Sequence, residues 1–318
     1  MSTQKTTIEV VPYNSIWPHQ FEEEARIIKQ ALGKNCIEVH HIGSTSIPNL
    51  TAKSDIDILC IVNKLSDSLS LQDFSYIYKG ELNIPLRCFF SKNTPKKKVN
   101  LHVVELGHGF ISMNLCFRDY LRAHKAARLA YANLKIELLK DPKSHQKIDG
   151  KFCVYTLRKS SFIKGILKEA KFNDFCLNFC MLDEEWKAYH RIREEQIFNP
   201  INIVYDRNHP TISDSSHFHF VLYKGTTIVT TAHIELLNNK EVIIRSLATD
   251  EPYKRQGYGR QMVKLLEKWI INQKRKTIKV HSNLRAELFY RKLGYTDMIF
   301  NDKSISKETV DLGKHLSD

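Results

Sequence analysis

The chain has 318 residues, 42% of them hydrophobic and 26% charged, with a formal net charge of +13. That length suits two domains rather than one, because single cores stop growing near ~250–300 residues. No apolar run approaches the ~18 residues a membrane span needs, and the seven cysteines, scattered and without an export signal in MSTQKTTIEV, point to free thiols and a cytoplasmic setting.

Most of the basic surplus falls in residues 1–172, which favours phosphate-bearing ligands there. The run TPKKKVN (94–100) reads as an exposed loop rather than a nucleic-acid patch. Cys176 and Cys180 have no second pair at zinc-site spacing and read as buried structural cysteines.

In chain order, Phe21, Ala25, Ile28 and Leu32 recur at helical spacing behind Glu22, Glu23 and Glu24. CIEVHHI alternates as a strand, IDILCIV is a buried strand, and VNLHVVE alternates again. Helical stretches follow over 113–140 and 155–171. A junction is expected at 172/173, giving domains 1–172 and 173–318. Beyond it, FCLNFC reads as a strand and DEEWKAYHRIREEQI as a helix. HFHFVLYKG, TTIVTTAHIEL and EVIIRSLAT are strands. Met262, Leu265, Leu266 and Trp269 mark one face of a helix, and then come strand TIKVHS, helix LRAELFYRKLG and strand YTDMIF. Each half is therefore a mixed α/β (α+β) layer of sheet and helices.

Two stretches carry chemistry. The first is HIGSTSIPNLTAKSDIDILC (41–60). A Gly43-Ser44 turn after a strand can present N–H groups and a hydroxyl to a phosphate. Asp55 and Asp57 project from one strand face and could share Mg²⁺ bridging nucleotide phosphates. The alternative is that Ser44 and the aspartates serve as turn and cap residues. With VVPYNSIWPHQFEEEA, LHVVELG, FRDYLR and YTLRKSSFI in order, residues 8–171 resemble the GrpB family. The resemblance implies a nucleotidyltransferase-like mixed sheet with helices, with Gly43, Ser44 and Asp57 at its nucleotide end. The family often has an apolar residue where this chain has Asp55, and the third carboxylate of active nucleotidyltransferases is replaced by His102. Arg118, Arg122 and Lys125, spaced i, i+4, i+7, with Lys159 in the next helix, would meet a triphosphate if they line the cleft.

The second stretch is ATDEPYKRQGYGRQMVKLLEKW (248–269), a strand joined to a helix through Gly257 and Gly259. Glycines let the backbone approach an anion, and the helix start supplies free N–H groups and a favourable dipole. A glycine turn without ligand is the alternative. With EVIIRSLAT before it and VHSNLRAELFYRKLGYTDM after it, residues 175–315 resemble the GNAT N-acetyltransferase superfamily. That implies acetyl-CoA as cofactor and an amine acceptor, small molecule or protein. It also implies pyrophosphate held on the backbone of Gln256, Gly257, Tyr258, Gly259 and Arg260, flanked by Lys254 and Arg255. Lys254 stands where the family most often has Arg or Gln. Asn283 matches a cofactor-arm contact, and Leu247 and Ala248 the strand beside the thioester. Tyr290 holds the general-acid position.

The position eleven residues before the loop, where some relatives carry a glutamate base, is apolar Ile243. His233 and Glu235 share a strand face and could serve instead. EEQIFNP (194–200) could form part of an acceptor loop, or its glutamates could simply be solvated. The activity expected is therefore acetyl transfer, with the first half either a Mg-dependent nucleotidyltransferase or a binding domain.

Overall fold

The computed structural model describes residues 8–95, 97–148, 152–302 and 308–317. Lys96 of the expected basic loop lies outside them. The chain divides into two compact units, Met1–Cys176 and Leu177–Asp318, and the expected junction at 172/173 falls just ahead of that division.

The first unit is built on a five-stranded sheet in the order β1-β2-β5-β4-β3. Its strands are β1 (Cys36–Ile42), β2 (Asp55–Val62), β3 (Ile77–Tyr78), β4 (Arg87–Asn93) and β5 (Lys98–Glu105). Only β2 and β5 run parallel; the remaining neighbours are antiparallel. Alternation sorts the two faces of β2. Ile56, Ile58, Cys60 and Val62 join Trp17, Ile28 and Leu32 of helix α1 (Ile16–Leu32) in one core. Leu59 faces the other way, against Phe110 of α2 (Gly109–Ala123). Asp55 and Asp57 lie on that second face.

The stretch expected as one helix over 113–140 is two. His124 has φ −113° and ψ 97°, which ends α2 and precedes α3 (Lys125–Lys140). A two-stranded ribbon of β6 (Lys147–Ile148) and β7 (Phe152–Cys153) leads into α4 (Val154–Leu157) and α5 (Ser160–Glu169).

In the second unit a seven-stranded sheet has the order β13-β14-β12-β11-β10-β9-β8. The strands are β8 (Phe175–Phe179), β9 (His217–Lys224), β10 (Thr227–Leu236), β11 (Glu241–Thr249), β12 (Thr277–Asn283), β13 (Thr296–Asp297) and β14 (Thr309–His315). Helices α6 (Asp183–Arg193), α7 (Tyr258–Asn272) and α8 (Leu284–Arg291) complete it. The HFHF alternation in β9 sends Phe218 and Phe220 to Trp269 of α7, at ring-centroid distances of 5.0 Å each. Burying these aromatic faces contributes roughly 1.5–3 kcal/mol per side chain. His219 goes to the opposite face, with Tyr189 of α6. Strand YTDMIF is reduced to two residues, and β14 inserts between it and β12. No helix among the described residues is long and apolar enough to cross a membrane.

Candidate active site

Strand pairing creates the cavity of the second unit. Strands β11 and β12 pair in parallel only from Glu241↔Thr277 to Ile244↔Val280. Beyond that, β11 continues to Thr249 paired with β10 alone. Arg245 is skipped in the β10–β11 register, where His233 faces Ser246 and Ile234 faces Ile244. This β-bulge re-aims the strand at the point where β12 leaves it. Backbone groups from Arg245 onward thus keep one hydrogen-bonding edge open along the cleft.

The cleft belongs to a cavity of about 1460 Å³ whose lining includes His233, Glu235, Leu247, Lys254, Asn283 and Tyr290. Of the expected cofactor loop, Gly257 has φ 85° and caps α7, and the first helical bond is Gln261 N–H to the Gly257 carbonyl. The N–H groups of Gly259 and Arg260 therefore have no partner within the helix. Arg255, at φ 61°, helps turn the loop. Gln256 braces it through Nε2 to the Pro252 carbonyl, and Lys254 pairs with Glu251 at 2.5 Å. Ala248 is buried within β11. Asn283 Oδ1 accepts from Arg285 N–H at 2.8 Å and so caps α8. Tyr290 is buried, its hydroxyl proton held more tightly than usual by that burial, and its ring packs edge-on to Phe289 and Tyr295 at 5.0 and 5.3 Å.

Opposite lies a chain of polar groups that spacing alone does not reveal. His217 Nδ1 and His233 Nε2 are 2.8 Å apart, and His217 Nε2 is 3.9 Å from Glu235 Oε2. Glu235 accepts from Arg245 Nε at 2.6 Å, and Arg245 also pairs with Asp302. Asp302 contacts His281, which bonds Asp311 at 2.7 Å. Behind these, His219 Nε2 donates to the Thr211 carbonyl at 2.9 Å, so its Nδ1 accepts from Tyr189 at 2.7 Å. Burial, aided by Arg193 and opposed by the bond to the Thr211 carbonyl, leaves the His219 pKa lowered to about 4. The His233 pKa is lowered much further, by burial first and then by His219, Arg193 and His217. His217, Arg245 and His281 were absent from the sequence-based set. The HFHF alternation was the one legible signal, since it put His217 and His219 on a common face.

In the first unit the aspartates are differently employed. Asn100 Nδ2 donates to Asp57 Oδ1 at 2.9 Å, and Lys98 Nζ to Asp55 Oδ2 at 3.1 Å. Burial raises the Asp57 pKa to about 6, opposed by the Asn100 bond and by Lys159. His102 is not the residue facing Asp57. It sits two pairs further along, opposite Leu59, where Arg87 Nη1 donates to its Nδ1 at 3.1 Å. Burial and Arg87 keep it neutral. Arg118 donates to the His41 carbonyl and Arg122 to the Ser46 carbonyl, so both brace the 41–46 turn from behind rather than standing free for a triphosphate. Ser44 opens a short 3₁₀ turn, where its carbonyl accepts from Ile47 N–H at 3.3 Å.

Among the described residues no three His, Cys, Asp or Glu side chains are grouped to hold a metal ion. A carboxylate pair already engaged by a lysine and an asparagine does not fit a Mg²⁺ clamp.

Comparison with known proteins accounts for both halves. Residues 7–169 match the GrpB protein family and residues 180–295 the acetyltransferase (GNAT) family. The chain is 40% identical over 154 residues to the UPF0157 protein YqkA of Bacillus subtilis, covering 46% of this chain and 45% of that protein. It thus spans less than half the length of that curated relative. Conserved protein GrpB from Enterococcus faecalis is 37% identical, with 51% of this chain and 96% of that one covered, at a TM-score of 0.44. An acetyltransferase of the GNAT family from Staphylococcus aureus is 15% identical, covering 45% of this chain and all of that one at a TM-score of 0.38. With its family match spanning just over half of its length, the chain belongs to the GrpB family and carries a GNAT acetyltransferase domain in its second half.

Proposed function

We propose that the second half transfers an acetyl group from acetyl-CoA to an amine. The observation that carries this reading is the parting of β11 from β12 beside the N-terminal turn of α7. An open strand edge suits the amide-rich pantetheine arm, and the N–H groups with the helix dipole suit the pyrophosphate. Leu247 and Ala248 would lie along the arm, and residues 254–260 at the phosphates.

In this reaction the amine nitrogen attacks the thioester carbonyl, the C–S bond breaks, and one proton leaves nitrogen while another reaches sulfur. Tyr290 is the proposed donor to the thiolate, whose conjugate thiol has a pKa of ~8.5. For the amine proton, His217 with Glu235 beside it is a better acceptor than His233, whose burial opposes any gain of charge. Asn283, engaged as a helix cap, would contact the arm through its remaining amide donors.

The test is thermal unfolding of the full chain with acetyl-CoA, followed by release of free CoA thiol with an amine panel. A ligand at 100-fold its dissociation constant adds ~2.7 kcal/mol to the unit it binds. No shift with acetyl-CoA would sink the proposal. For the first half we propose a binding role, supported by the engagement of Asp55 and Asp57 with Lys98 and Asn100. Turnover of a nucleotide dependent on Mg²⁺ and on Asp57 would overturn that.

A further inference from the structure

Arg193 ends α6 at the acceptor side of the cavity, and it is only 8% exposed. Its guanidinium carbon lies 4.9, 5.2 and 5.7 Å from the ring centres of Tyr189, Tyr205 and Phe198. Nη1 donates to the Tyr205 hydroxyl at 3.1 Å, and that hydroxyl also bonds His190 at 2.7 Å. Nε is buried with no hydrogen-bond partner. Among the described residues no carboxylate pairs with Arg193. Arg191, two residues before it, grips Asp250 with both nitrogens, and Arg245 spans Glu235 and Asp302.

A buried guanidinium without a counter-anion is costly, and an aromatic cage offsets only part of that. A purely structural cation in such a place would be expected to have an internal carboxylate. Arg193 instead lines the cavity and is near enough to His219 and His233 to oppose their protonation. It therefore stands within the same chamber as the groups proposed to receive the amine proton. The remaining donor edge is planar and forked, the geometry that a carboxylate matches. Arg245 and Lys254 of the cavity lining are already paired with carboxylates, so Arg193 stands as a single cation, matched in charge by a monoanionic carboxylate rather than a dianionic phosphate.

Resting on the acetyltransferase reading above, we infer that the acceptor is a small amine bearing a carboxylate, of the amino-acid class, with Arg193 as the residue that binds the carboxylate. The cage fixes the guanidinium before the ligand arrives, so little ordering remains to be done on binding. The acceptor's own carboxylate completes the set of hydrogen bonds that the protein leaves open.

The experiment offers the full chain and acetyl-CoA a panel of standard amino acids and their carboxamides, with ethanolamine and phosphoethanolamine as a further pair. CoA thiol release is followed. A site built around a buried charge rejects an analogue lacking the partner strongly, so the acid is expected to exceed its carboxamide by about 100-fold in kcat/KM. Arg193→Gln is expected to bring that ratio close to one, chiefly through KM, with acetyl-CoA affinity retained; Arg193→Lys should recover part of it. The acid-to-carboxamide ratio of the unaltered protein decides the matter even if neither variant folds.

Carboxamides accepted as well as acids would overturn the proposal, and so would preference for phosphoethanolamine. So would a panel in which no carboxylate-bearing amine is acetylated while acetyl-CoA still binds. In those cases the acetyltransferase reading survives. Absence of acetyl-CoA binding would instead overturn both.

Discussion

A Cβ placed on Gly43 would stand 2.2 Å from Asp57 Oδ2. Gly43 itself has φ 68° and ψ −173°, a backbone open in practice only to glycine. The turn and the carboxylate are therefore one device: the aspartate occupies the space where any other residue at 43 would keep its side chain. Around them, Thr45 Oγ1 donates to the Asp55 carbonyl and Ser46 Oγ to the Gly43 carbonyl.

It follows that Gly43→Ala loses stability on two counts, backbone strain and overlap with Asp57. The cost is expected to be on the order of 3 kcal/mol. Urea unfolding followed by a probe in the first unit measures it, and a loss below about 0.5 kcal/mol, the level of an ordinary surface change, would refute the coupling.

The pH dependence of this unit has a definite sign. The Asp57 pKa is raised to about 6 from an ordinary value of 3.8, so the folded state holds its proton more tightly than the unfolded chain. The contribution is fully present below about pH 4 and is lost as the pH rises through about 6. Asp57→Asn keeps an acceptor for Asn100 and removes the charge. At pH 8 it should stabilise the unit by roughly 2–3 kcal/mol, and at pH 4 by almost nothing. Equal effects at both values would show that the carboxyl titrates normally.

At the proposed active site, Tyr290→Phe keeps the edge-on ring contacts with Phe289 and Tyr295 and deletes the hydroxyl. A fall in kcat of about 10²-fold is expected, the scale of general-acid catalysis, with acetyl-CoA affinity unchanged. Steady-state rates beside a direct binding titration separate the two, and an unaltered kcat would leave Tyr290 as a packing residue.

His217→Gln and His233→Gln should behave differently. The first removes the proposed proton acceptor and is expected to lower kcat about 10–100-fold. The second should lower it far less. Equal losses of kcat for the two variants would argue that the pair acts only in holding the strands.

Much of this architecture was legible because burial leaves a period in the sequence. Ile56, Ile58, Cys60 and Val62 face one core while Leu59 faces another, and a continuous apolar run is how such a doubly covered strand reads. The helix face of Met262, Leu266 and Trp269 was equally plain. Glycine conformations at 43 and 257 were legible for the same kind of reason, since few residues tolerate positive φ. What periodicity cannot carry is register between strands distant in sequence. Asn100 faces Asp57 only because β5 pairs with β2 in one alignment; a slip of two residues would have put His102 there. Nor could spacing show that Arg118 and Arg122 turn inward to backbone carbonyls. The helix break at His124 and the late strand β14 were hidden by helix-compatible neighbours in one case and by a short, polar alternation in the other.

The bulge at Arg245, with the strand departure beside it, divides the labour of the second unit between two kinds of chemical memory. Along the open edge of β11 the protein offers peptide groups, which every residue type supplies alike. Substitution there can alter bulk and shape while the pattern of donors and acceptors persists. Across the cavity the surface consists of imidazoles, carboxylates and guanidinium groups, each erased by a single codon change. One rim of the chamber is thus resistant to evolutionary drift and the other readily rewritten, so a lineage built on this scaffold would retain the proposed acyl donor long after it had exchanged one proposed acceptor for another.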